Sequence, residues 1–162
     1  MVFVWCCLIY SFSAADGTES AGTSGVIAET IVKIVVPDFE TKEPIDQEAI
    51  MNKAHLIICK VAHFCEYAIL GIFASLLLST YALSGRRRCF LAWVFATTYA
   101  VTDEIHQIVV PGREAAIKDV GIDALGALCG VLFLYIMESM IQKIRRTDKK
   151  VNEVNSNGNL ER

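Results

Sequence analysis

Three apolar runs, at about 57–83, 89–110 and 119–141, are each long enough to cross a bilayer, and they constrain this chain to a bundle of helices in lipid. In hydrocarbon the backbone must satisfy its own hydrogen bonds, which a spanning segment of this kind does by forming a helix. Hydrophobic residues make up 54% of the 162 and charged ones 20%, too apolar for an ordinary soluble domain of that size. The expectation is a single-domain, all-α, polytopic membrane protein.

The boundaries of the runs carry the topology. The first of the three ends at Ser84-Gly85 and Arg86-Arg87-Arg88, the next stops at Pro111-Gly112, and the last is followed by Lys143, Arg145, Arg146, Lys149 and Lys150. Short flanks rich in Lys and Arg stay in the cytoplasm. The longer stretch between Asp16 and Lys53 carries only Lys33, Lys42 and Lys53, and belongs outside. A fourth apolar run, residues 1–15, is about 20 Å long as a helix and falls short of a hydrocarbon core of about 30 Å. Two readings fit it: a signal peptide, for which Ser13-Ala14-Ala15 resembles a cleavage region but no Lys or Arg precedes the apolar stretch, or the end of a first span that begins upstream. The second is preferred. About four spans follow, in a multi-pass protein of the cell membrane with both termini cytoplasmic.

Residues 16–56 read as an extracytoplasmic loop with short helices. Gly17, Gly22, Gly25, Pro37 and Pro44 punctuate it, while apolar residues at 27, 31, 34 and 35 have helix spacing and fit an amphipathic helix on the membrane or on the bundle. A helix starting near Asp46 is expected to run through His55 into the next span. Residues 57–142 form the membrane core, and 143–162 a basic and then disordered cytoplasmic tail. The basic blocks lack interleaved aromatics, so they fit membrane flanks and not nucleic-acid binding. Cysteines at 6, 7, 59, 65, 89 and 129 include no Cys-x-x-Cys pair and read as small packing residues.

Chemistry concentrates in Thr102-Asp103-Glu104-Ile105-His106-Gln107, which closes the third run. An ionised carboxylate near the centre of a span costs about 2.5 to 3.5 kcal/mol, so adjacent ones are normally paired, protonated or turned toward a cavity. Steps of three and four put Lys60, His63, Tyr67 and Gly71 on one face, Tyr99, Asp103, His106, Gln107 and Val110 on a second, and Asp119, Asp123, Gly126 and Gly130 on a third. The expected topology brings all three to the outer leaflet. Gly126 and Gly130 are spaced for close helix approach. Glu66, Asp103, Glu104, Asp119 and Asp123 face only Lys60, Arg113 and Lys118 as fixed cations, so protonation, His63, His106 or a bound cation must balance the remainder. Catalytic candidates are His63, Glu66, Asp103, Glu104 and His106. Binding candidates are Lys60, Tyr67, Gln107, Arg113, Asp119 and Asp123. Familiar metal-ligand spacing is lacking, and neither a metal nor a cofactor is expected.

These motifs, from Lys60-Val61-Ala62-His63-Phe64-Cys65-Glu66-Tyr67 through Asp103-Glu104-Ile105-His106-Gln107 and Pro111-Gly112-Arg113 to Lys118-Asp119 and Gly126 to Gly130, resemble the VanZ-like membrane proteins over about residues 10–142. The resemblance implies a small polytopic bacterial envelope protein, similar to the member associated with low-level resistance to the glycopeptide teicoplanin. Its implied partners are membrane lipids and a lipid-linked wall precursor or glycopeptide, and the oligomeric state stays open. Lys60, His63, Phe64, Tyr67, Asp103, Glu104, His106, Gln107, Arg113 and Asp119 match the family's characteristic positions, without assigned roles. Two departures stand out: Ser11-Phe12-Ser13-Ala14 replaces a Phe-Ser-Ser-Gln-like element, and Asp123 stands where the family more often has Asn. A membrane enzyme using His106 or Glu104 as general base, a small proton-coupled transporter and a scaffold subunit are the alternatives.

Overall fold

The computed structural model describes the backbone of residues 1–14, 17–108 and 117–160, and the side chains of 1–14, 25–108 and 117–149. Five α-helices account for nearly all of it, with no strand among the described residues. They are α1 (Val2–Ala14), α2 (Gly17–Val35), α3 (Pro44–Leu78), α4 (Gly85–Gln107) and α5 (Ile117–Leu160). By length and composition α3 and α5 could each cross a membrane, and α1 is shorter but apolar. The acidic pair Asp103-Glu104 and His106 lower the hydropathy of α4.

Helix α3 begins with Pro44, which has no N–H to leave unsatisfied in the first turn, and Asp46 there suits the dipole. It then runs without a break for 35 residues, as expected from the sequence. Its end comes earlier than the apolar run implies: the Ser79 and Thr80 hydroxyls donate to the carbonyls of Leu76 (2.6 Å) and Leu77 (2.7 Å), competing with continued helix. Helix α4 starts earlier than expected, at Gly85, taking in the three arginines. Arg88 forms an ion pair with Glu138 of α5, so it also ties two helices together.

Two expectations are corrected. The stretch after Asp16 is not mainly loop, because α2 spans Gly17–Val35 despite its glycines. Ala28 and Val32 supply a buried face for that helix, and tertiary packing of this kind overrides weak propensity. Beyond Lys150 the backbone stays helical to Leu160 where the composition predicts disorder; extending a formed helix adds one hydrogen bond per residue without a new nucleation cost. Between α2 and α3, Asp38 takes the left-handed conformation (φ 56°) and its carbonyl accepts from Thr41 Oγ1 at 2.8 Å. The expected apolar positions Ile27, Ile31, Ile34 and Val35 lie on the open side of α2. Beside them Glu29 bonds Lys33 at 2.9 Å, which holds that ammonium above the ordinary lysine range.

The interior is made of small residues and the exterior of large ones. Ala92, Ala96 and Ala100 form a fully buried stripe along α4, packed with Ile9, Tyr67, Leu70, Ala74, Ala127 and Val131. Phe90, Phe95, Ile105, Phe133 and Ile136 point outward and are each more than two-fifths exposed. Large apolar side chains on the outside of a helical bundle suit a lipid environment better than water.

Helices α3 and α5 run parallel in closest contact. A Cβ on Gly126 would collide with the Phe64 carbonyl, one on Gly130 with the Ala68 carbonyl, and one on Gly71 with the Ala127 carbonyl. The expected close approach is therefore present, with a third glycine contributed by α3. All six cysteines are free; Cys6, Cys59 and Cys89 are partly buried as packing residues should be, but Cys7, Cys65 and Cys129 are exposed on the outer surface.

Candidate functional site

The buried stripe of α4 does not change face when it changes character. One and two turns beyond Ala96 and Ala100, the same side of the helix carries Asp103, Glu104 and Gln107, all buried. The site is thus the polar end of the bundle core. Tyr67 of α3 is fully buried against it, and its hydroxyl donates to Asp103 Oδ2 at 3.1 Å. From α5, Asp123 enters at only 3% exposure, close enough to feel the charges of Asp103, Glu104, Asp119 and Glu66. Both Asp103 and Asp123 act electrostatically on Tyr67.

Burial increases along each helix toward this centre. On α3, Lys60 is exposed, His63 and Glu66 are half-buried, and Tyr67 is closed off; on α5, Asp119 is half-buried and Asp123 is buried. Lys60 and Asp119 form an ion pair at the outer edge, linking the two parallel helices where they begin. That pair neutralises one cation against one anion and leaves no lysine for the buried acids. Lys118 is exposed. Arg113, the remaining cation in the charge account, lies outside the described residues, as does Val110.

Helix α1 closes the cluster on another side, a contribution the sequence reading did not foresee. Ser13 is buried and its Oγ accepts from Gln107 Nε2 at 3.0 Å. Tyr10 stacks on His106 with ring centroids 4.6 Å apart, and the Tyr99 hydroxyl donates to the Cys6 carbonyl at 2.7 Å. Trp5 Nε1 donates to the Glu66 carbonyl at 2.9 Å. Of these, Tyr99, His106 and Gln107 lie on a predicted polar face; Ser13 is visible only as part of the Ser11-to-Ala14 element, and no local pattern marks Trp5 or Tyr10.

Satisfaction is incomplete at the centre. Asp103 Oδ1, Asp123 Oδ1 and His106 Nε2 are buried without a hydrogen-bond partner among the described residues. Ser75 Oγ, Thr97 Oγ1 and Arg88 Nε share that condition, and such atoms in a low-dielectric interior cost about 1–3 kcal/mol each, more when charged. No group of three or more His, Cys, Asp and Glu side chains among the described residues is arranged to hold a metal ion.

A family model described as VanZ/LLP1 matches residues 1–138. The chain belongs to the VanZ/LLP1 family. The match extends through α1 and the first half of α5, so it includes every described residue of the polar cluster and the first helix. No match was found for this VanZ/LLP1 chain among curated proteins or among solved structures.

Proposed function

We propose that this VanZ/LLP1 protein crosses the cell membrane four times, through α1, α3, α4 and α5, with both termini in the cytoplasm and the polar cluster open to the outer leaflet. In this reading the cluster binds the polar part of an outer-leaflet lipid or lipid-linked wall precursor, and so alters access of a teicoplanin-type glycopeptide to its target. The observation that carries it is the trio of unpartnered buried atoms on Asp103, Asp123 and His106. A purely structural polar clamp is expected to satisfy its own members. The charge distribution supports the orientation: Arg86, Arg87 and Arg88 begin α4, while Asp103 to Gln107 end it. The tie of Ser13 to Gln107 supports α1 as a retained part of the bundle.

A second reading, a membrane enzyme acting on a lipid headgroup, is favoured by His106 Nε2, a basic atom not consumed by any described hydrogen bond. Mass spectrometry of lipids and wall precursors from cells with and without the protein separates the two, with glycopeptide susceptibility measured alongside. Binding predicts an unchanged chemical profile with shifted susceptibility. An altered headgroup or stem peptide assigns an enzyme.

A further inference from the structure

We propose that α1 is a lateral gate, and that the ligand of the polar cluster enters sideways from the outer leaflet through the groove between α3 and α4 that α1 covers; this rests on the binding reading above. Access is the difficulty that the gate resolves. Asp103, Glu104, Gln107 and Asp123 are each less than a tenth exposed, and Tyr67 is fully closed off. A site so buried takes a ligand only if one of the elements packed around it moves. What α1 covers is the cluster itself. Ile9 shares a buried apolar cluster with Tyr67 and Ala100, and Tyr67 is the donor to Asp103. Ser13 and Tyr10 stand on Gln107 and His106, the last residues of α4.

Of the helices around the cluster, α1 is the one held least. Helices α3 and α5 meet with Gly71, Gly126 and Gly130 directly on facing carbonyls, and the Lys60 to Asp119 ion pair ties them at the edge of the cluster. Helix α4 buries Ala92, Ala96 and Ala100 in full and is tied to α5 by the Arg88 to Glu138 pair. Of the 13 residues of α1, by contrast, only Ile9 and Ser13 are buried, and none is charged. Phe3, Val4, Leu8, Tyr10 and Phe12 are exposed. In lipid, the apolar contacts that an undocking helix gives up are replaced by lipid tails at little cost, so its polar ties decide the balance. The described ties run from Trp5 to the Glu66 carbonyl, from Tyr99 to the Cys6 carbonyl and from Gln107 to the Ser13 hydroxyl. Lifting α1 exposes His106, Gln107 and Tyr67 together, toward lipid. A ligand anchored by an apolar tail reaches that opening without leaving the membrane, and its polar part takes the place of the Ser13 hydroxyl on Gln107. Ser13 is the latch.

Single-molecule energy transfer on the full chain in lipid nanodiscs tests this, with bio-orthogonal labels at Ser11 of α1 and Leu125 of α5, both exposed. Two distances are expected, the longer in the minority. Ser13→Ala removes the latch acceptor and should raise the ratio of long to short distances about two- to tenfold, the range that one hydrogen bond sets. Gly121→Ala, where nothing lies within 4 Å of the added Cβ, should leave the ratio as it is. A single distance in the unaltered chain overturns the gate, so the outcome does not hang on whether a variant folds. An equal rise in both variants also overturns it, because the bundle is then loosened at large. Glycopeptide susceptibility measured on Asp103→Asn separates the gate from the reading beneath it. Susceptibility that depends on Asp103 in a chain whose α1 stays docked refutes the gate and leaves the binding site standing. Susceptibility independent of Asp103 removes the ligand, and the gate with it, even if α1 moves.

Discussion

Asp103 shows how much of the site turns on single atoms. Its Oδ2 accepts from Tyr67 and its Oδ1 from no described residue, so in the proposed reading one carboxyl serves both packing and binding. Asp103→Asn and His106→Gln preserve size and hydrogen-bonding capacity while removing charge or basicity. Both variants are expected at normal abundance in the membrane fraction, with the susceptibility effect abolished. Reduced abundance, rescued when a second neutral substitution removes the partner, would make the cluster a clamp instead. Tyr67→Phe removes the one described donor to Asp103, and should lower stability by about 1–3 kcal/mol in thermal or denaturant unfolding in detergent. The Tyr67 to Asp103 encounter was legible in the sequence, since each residue sits on a polar face of its own helix. Gln107 to Ser13 and Tyr10 to His106 were not, because residues more than ninety apart meet only once α1 has docked beside α4, and no spacing rule reaches that far.

At the level of helices, the glycines give the sharpest contrast. Gly126 and Gly130 pack directly on α3 carbonyls, whereas nothing lies within 4 Å of a Cβ placed on Gly121 of the same helix. Gly126→Ala or Gly130→Ala should therefore destabilise the bundle by about 1–3 kcal/mol through overpacking. Gly121→Ala should be neutral or stabilise by up to about 1 kcal/mol. Melting of the three variants in one detergent checks the prediction, and equal behaviour would mean that α3 and α5 are not in close contact. The pair spacing was readable; the third member, Gly71, gained its meaning only from the parallel register. Helix α2 was read largely as loop because Gly17, Gly22 and Gly25 argue locally for a turn, while the packing of Ala28 and Val32 that stabilises it is a tertiary fact. Arg88 was read as a membrane flank, and its pairing with Glu138 required knowing which helix lay opposite.

The whole molecule is polar at one end of its core, apolar on its outside and basic at its other end. Alanines bring the helices close enough for the acidic residues at the end of α4 to be buried, so the packing of the bundle and the construction of the site are the same feature. All of the proposed chemistry depends on which side of the membrane that end faces. The exposed turn beside Glu43 lies on the side from which α3 reaches the cluster, passing from Pro44 through Lys60 to Tyr67. A topology reporter inserted there, compared with fusions after Arg88 and after Lys150, measures the orientation directly. The account predicts an external reporter at Glu43 and cytoplasmic reporters at the other two; a cytoplasmic reporter at Glu43 would move the cluster to the inner leaflet and contradict it.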